Sequence, residues 1–245
     1  MNSKGGFILM KKWISVCAAL MIVTLLCTGA FAEDSGKDAA LLNVGDAVTY
    51  GHYEQDNDAQ NGMEPIEWVV LDVQDNQALL LTKYAIDSRY YHPGERETSY
   101  PTWAKSSIRA WLNSDFIDTA FTAEEQEAIV EVTLENASYK QNYGGADTAD
   151  RVFFLSRAEV EQYFPTQESR LCVPTAYALA QGAWESTKYT LDGVNCTWWW
   201  LRTPGYYRSC AASVRTVGTI TSNRVYDESG AVRPAIWLDL SKATY

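Results

Sequence analysis

The stretch Trp198-Trp199-Trp200-Leu201-Arg202-Thr203-Pro204-Gly205 decides how this chain folds. Side chains alternate across a strand, so three consecutive tryptophans cannot share one face, and both faces must meet something large and apolar. Trp198 to Leu201 is either core packing or an aromatic platform for a ligand. Buried aromatics dominate cores, which favours packing. Arg202 ends the run and, if buried, requires a carboxylate or carbonyl partner. Thr203-Pro204-Gly205 reads as a turn.

Beyond the run, Ala211 to Val217 and Val225-Tyr226 are short strand candidates around Gly218, and Val232 to Leu240 is a closing strand. The other end of the chain is also β-rich. Ala47 to Tyr53, Ile66 to Val73 and Ala78 to Thr82 read as strands, the last two joined over Asp75-Asn76 as a hairpin. The middle is helical. Ser106 or Ser107 caps a helix carrying Ile108, Trp111 and Leu112 on one face. Thr122 to Glu125 is a capping box for a helix to Ile129, and Ser156 to Glu159 is another for a helix to Tyr163, after a strand from Arg151 to Leu155. Pro174 suits the first turn of a third short helix that Gly182 ends. This order of strands, helices and strands predicts one α+β domain over residues 44–240, with its N- and C-terminal strands paired.

Composition bounds the function. Of 245 residues, 47% are hydrophobic and 21% charged, which is globular, and the formal net charge is −11. That acidity argues against nucleic acid and anionic membrane surfaces as partners. Lys11-Lys12, an apolar run from Trp13 to Thr28, and Gly29-Ala30-Phe31-Ala32 have the layout of a secretory signal over residues 1–32. Cleavage is expected after Ala32, before a short polar leader at 33–43, and places the chain outside the cell. No later segment is long and apolar enough to span a bilayer.

Removing the signal leaves Cys172, Cys196 and Cys210. One disulfide plus a free thiol, or three buried thiols, are both compatible with three cysteines. Cys172 to Cys196 is the most economical bridge, since the two flank one helix-and-loop unit. The spacings lack the close pair of a zinc site. With His52 and His92 the only histidines, a multi-histidine metal site is excluded. His52 falls in a strand and His92 beside Pro93, and both read as structural. No G-x-S-x-G, HExxH or phosphate loop occurs. Asp56 to Gly62 is an oxygen-rich loop, and Glu67 stands where a calcium loop has its last ligand. The required glycine would fall at Asn61, so the segment reads as a polar hairpin loop. No metal or cofactor is expected. Asn136-Ala137-Ser138 and Asn195-Cys196-Thr197 read as chance sequons.

Several of these segments together resemble a family of secreted bacterial domains of unknown function. They are Pro65 to Val73, Ser106 to Asn113, Cys172 to Ala178, Trp199 to Gly205 and Val232 to Trp237. The late motifs are similar to those of the C-type-lectin-like fold, shared with formylglycine-generating enzymes and bacterial variable receptors. The resemblance implies that fold. In such receptors the region between the two late motifs displays the ligand surface. Here that region is rich in Tyr, Arg, Ser, Thr and Asn, as paratopes are. It implies a secreted or cell-surface module binding a protein, glycan or wall polymer through Tyr206, Tyr207, Arg208, Arg215, Asn223, Arg224 and Tyr226. An enzyme using Cys196 or Cys210 is the alternative, although their spacing departs from the copper-binding pair of those enzymes. A purely structural surface protein is the third reading.

Overall fold

Strands β1 (Ala47–Tyr53), β2 (Glu64–Gln74) and β3 (Gln77–Thr82) form an antiparallel meander in the computed structural model, which describes residues 42–94 and 101–245. Asp75 and Asn76 turn β2 into β3 with φ of 47° and 66°, the left-handed pair that a two-residue hairpin needs and these residues tolerate. The expected signal peptide and nearly all of the expected leader lie outside the described residues.

Short strand β4 (Asp87–Ser88) leads into the helical middle. The Ser106 side chain accepts the Arg109 N–H and caps α1 (Ser107–Trp111), which passes through a π-helical turn at Leu112–Phe116 into α2 (Ile117–Ala120). Thr122 and Glu125 form the expected capping box of α3 (Ala123–Ala128). Ile129 does not complete that helix but opens β5 (Ile129–Val130), where it pairs with Leu238, as suits a β-branched residue beside a sheet. Strands β6 (Val132–Leu134) and β7 (Thr148–Asp150) make a separate ribbon, followed by β8 (Val152–Phe153). Ser156 and Glu159 form the second capping box, on α4 (Arg157–Tyr163). Thr175 caps α5 (Ala176–Ala180), so Pro174 lies just before the helix instead of in its first turn. Gly182 follows at φ 108°, the left-handed stop.

The last third departs further from expectation. Strands β9 (Glu185–Leu191) and β10 (Val194–Thr197) form a hairpin over Asp192-Gly193. Thr197 ends β10, and β11 (Trp199–Pro204) begins two residues later, with Trp198 between them. Thr203 and Pro204 therefore belong to a strand, not a turn. Strands β12 (Cys210–Val214) and β13 (Ile220–Arg224) follow, which puts Val225-Tyr226 beyond the strand they were expected to form. The closing strand is broken at Arg233-Pro234 into β14 (Ala231–Val232) and β15 (Ala235–Asp239), since proline has no N–H to give a ladder.

Two sheets result. One has the order β1-β2-β3-β15-β5 with β8 also on β15, and the other β13-β12-β11-β14-β4. The N- and C-terminal strands thus share a sheet without pairing, because β15 lies against β3, β5 and β8. The fold is α+β. Among the described residues no helix is long and apolar enough to cross a membrane.

The tryptophan run lies in the buried core. Trp198 and Trp200, two apart on β11's approach, meet edge-to-face with ring centroids 4.7 Å apart. Trp199 points the other way, under the Arg233 guanidinium at 4.8 Å from its ring. All three are buried, so the run is packing and not a platform. Arg202 finds the partners its burial requires in Glu159 and the Phe154 carbonyl.

Candidate functional site

The candidate ligand surface from Tyr206 to Tyr226 mostly forms the β12–β13 hairpin, paired in register from Cys210 opposite Arg224 to Val214 opposite Ile220. The pairing satisfies the backbone, so β12 can bury its side chains, while β13 at the sheet edge stays half-buried. At one end Tyr207 is 74% exposed and Tyr206 37%. Tyr206, Tyr207, Asn223 and Arg224 line an open cavity of about 710 Å³, together with Ser222 and Asp227. Arg208 lines a neighbouring hollow of about 240 Å³ that shares Cys210 with the first.

Two expected residues lie elsewhere. Arg215 sits at the far end of the hairpin, where its carbonyl accepts the Gly218 N–H at 2.8 Å. The Tyr226 hydroxyl is buried without a hydrogen-bond partner, and its ring packs against the core. Neither joins the surface that the other five form.

A second cavity, of about 500 Å³, is lined by Tyr139, whose ring meets that of Tyr206. It lies between β6, the 135–139 segment, the start of α4 and the end of β11. Arg157 lines it, with its guanidinium 4.5 Å from the Tyr139 ring centroid and 5.8 Å from that of Tyr206. The two tyrosine rings meet edge-to-face at 5.6 Å, and the Lys140 ammonium sits 4.3 Å from the Tyr206 ring. A hydrogen bond from Tyr139, helped by the charge and hydrogen bond of Arg157 and by the charge of Lys140, holds the Tyr206 phenol below its usual range. The same bond pushes the Tyr139 phenol up. Burial pushes the Glu159 carboxyl up, but the hydrogen bonds and charge of Arg202, with Ser156, outweigh it and hold the group below the ordinary range. Sequence reasoning finds only Tyr206 of this cluster. Arg157 is legible as part of a capping box, and nothing in Asn136 to Lys140 signals that a ribbon will carry Tyr139 to it.

Cys172 and Cys196 are buried and Cys210 half-buried, all as free thiols, so the expected Cys172–Cys196 bridge is not formed in this structure. The two lie on adjacent backbone, with the Thr197 N–H donating to the Cys172 carbonyl at 2.8 Å. Burial pushes all three thiols up, and a Cys172 charge adds to the effect on Cys196. That is the reverse of what an activated nucleophile or a copper thiolate requires. His52 is exposed on β1, while the His92 Nδ1 accepts the Ser107 N–H at 3.2 Å at the start of α1. Burial lowers the His92 imidazole.

The oxygen-rich loop does not use Glu67, which pairs with Lys83 at 2.7 Å. Carboxylate oxygens of Glu54, Asp56 and Glu64 come within 4.8 Å of one another instead. These groups already accept loop N–H bonds: Glu64 from Gln55 at 2.7 Å, Asp56 from Asp58 at 2.8 Å and from the Asn61 amide at 2.7 Å. They hold the hairpin loop together, as Asx-rich turns do.

No curated protein and no solved structure matches this chain. A family described as a domain of unknown function, DUF6273, matches residues 75–240, from the β2–β3 turn to just past β15. β1 and β2 precede the matched span. With two sheets closed by a shared C-terminal segment and a match over most of its length, the chain belongs to the DUF6273 family.

Proposed function

We propose that this protein is an exported ligand-binding module of C-type-lectin-like architecture, which engages a glycan of the extracellular surface through the Tyr206–Arg224 face. The observation that carries the reading is the open cavity of about 710 Å³ with Tyr206, Tyr207 and Arg224 on its walls. Exposed aromatic and arginine side chains on a rigid frame are the residue types that dominate binding energy, and small polar neighbours such as Ser222 and Asn223 adapt to a ligand. The signal-like N-terminus supports export. The motif at 199–205, whose strand β11 lies beside the β14 strand that opens the 232–237 motif, supports the lectin-like architecture.

Catalysis is less well supported. The thiols an oxidase would use are pushed up by burial, and no base, nucleophile and oxyanion donor converge among the described residues. The test is binding to a glycan array and to purified bacterial wall sacculi, with the double variant Tyr207→Ala, Arg208→Ala in parallel. Retention of the wild type, with at least a tenfold loss in the variant, supports the reading. No retention on either surface, or equal retention of both proteins, overturns it.

A further inference from the structure

The cations around the exposed tyrosines lack the carboxylate partners that other cations of this chain find. Lys83 holds Glu67 at 2.7 Å, Arg109 holds Asp150 at 2.6 Å and Arg202 holds Glu159 at 3.0 Å. Among the described residues no ion pair reaches Lys140, Arg208 or Arg224, and all three are exposed. They converge on one face. Arg224 lines the cavity of about 710 Å³ with Tyr206 and Tyr207, Arg208 lines the adjoining hollow, and the Lys140 ammonium sits 4.3 Å from the Tyr206 ring. Lys105 and Lys188 are also exposed without an ion pair, but they border neither hollow. The chain has 31 acidic residues against 20 basic ones, so carboxylates able to neutralise such a group are plentiful. On this face they are sparse.

The walls narrow the chemistry. Among the described residues no acid lines the hollow of Arg208, and Asp227 is the one acid on the larger wall. Its Oδ1 is turned to Ser229, from which it accepts the N–H at 3.1 Å and the hydroxyl at 2.7 Å. The charges of Arg157 and Lys140 add to the Tyr139 hydrogen bond in favouring the Tyr206 phenolate, so the potential at that ring is positive. Guanidinium groups match the paired oxygens of a carboxylate or a phosphate. Tyr207, 74% exposed, offers a flat aromatic face to a sugar ring. The two hollows meet at Cys210, so a ligand can run from one into the other and bring more than one charge. The net charge of −11 repels polyanions from the molecule as a whole and leaves this face as the exception.

We propose that the glycan taken by this face is a polyanionic chain, with one carboxylate or phosphodiester in each repeat, which lies across both hollows with a sugar ring on Tyr207 and its anionic groups at Arg224, Arg208 and Lys140. This rests on the reading of the Tyr206–Arg224 face as a glycan-binding surface and adds the charge of the ligand to it.

The experiment is affinity electrophoresis and calorimetry on the full chain, with polygalacturonate, poly(glycerol phosphate), neutral dextran and poly(U) RNA as probes. At least one of the two anionic polymers is expected to bind at least tenfold more tightly than dextran and RNA. Which of the two binds tells carboxylate from phosphodiester. Raising NaCl from about 0.1 M to about 1 M, which shortens the screening length from about 10 Å to about 3 Å, should weaken that binding at least tenfold. Arg208→Gln, Arg224→Gln should weaken it at least tenfold with an unchanged melting temperature, and adding Lys140→Gln should weaken it further. Lys105→Gln, Lys188→Gln removes the same charge outside both hollows and should leave binding unchanged. The inference is overturned if dextran or RNA binds as tightly as the anionic polymers, if binding ignores salt, or if the two double variants behave alike. It is also overturned, with the glycan reading left standing, if neither anionic polymer binds while wall sacculi still retain the protein. If sacculi and glycan array retain nothing, both readings fall.

Discussion

Both terminal nitrogens of Arg202 rest on the Glu159 carboxylate, with Nη2 at 3.0 Å from Oε1. Glu159 is also the reciprocal residue of the α4 capping box and takes the Ser156 N–H at 2.6 Å. One carboxylate therefore joins the start of a helix to the end of the tryptophan strand.

Arg202→Met should destabilise the fold by about 3–5 kcal/mol in urea unfolding, because it strands a largely buried carboxylate. The acid limb should change with it. In the wild type the Glu159 carboxyl is held below its unfolded value, so its stabilisation is present above that value and is lost as pH falls through the folded one. Without Arg202, burial dominates and raises the carboxyl. The variant should then gain stability relative to neutral pH as the solution is acidified through the ordinary carboxylate range. Denaturant midpoints measured across that range give both signs directly.

Trp199→Ala should cost about 3–5 kcal/mol, since the ring is fully buried between the strand and Arg233. Gly230→Ala should cost about 1–3 kcal/mol, because the new Cβ would overlap the Trp200 indole. Tyr207→Ala, Arg208→Ala removes exposed side chains and should leave the melting temperature nearly unchanged. Circular dichroism melts of the three proteins distinguish core from surface. Unfolding of the double variant would show that Tyr207 and Arg208 support the hairpin.

Thiol titration should resolve the cysteines into two classes. Cys210 is half-buried and should react first, slowly at neutral pH and faster as pH rises, since its thiol is pushed up. Cys172 and Cys196 should react only after denaturation. Under an oxidant, peptide mapping without reduction should show Cys172 joined to Cys196, its neighbour across the Thr197–Cys172 hydrogen bond, and not to Cys210. A Cys196–Cys210 peptide would contradict the arrangement.

The parts of the fold that local chemistry writes are legible in the sequence. Asp75-Asn76, the boxes at Thr122 and Ser156, and Gly182 each state a backbone conformation through one or two residues, and each is where the pattern puts it. Pro234 marks the break between β14 and β15 by its missing N–H, whereas the break at Trp198 between β10 and β11 carries no local signal. β9 is missed because its solvent-facing residues carry no alternation of apolar and polar, although Asp192-Gly193 marks its turn. The site follows the same division. The exposed tyrosines of 206–207 can be read from composition and position. The Arg157 cavity cannot, since Asn136, Arg157 and Arg202 come from segments far apart in the chain that only the folded ribbon, helix and strand bring together.

The switch of the C-terminal segment from one sheet to the other has a consequence for the order of events in synthesis. β15 is an interior strand of its sheet, and β14 bridges β11 to β4 in the other. Until residues 231–239 have left the ribosome, β3 has an open edge and β11 lacks its parallel neighbour. These long-range pairings make the chain slow to close and late to commit. Closure then awaits the final strands.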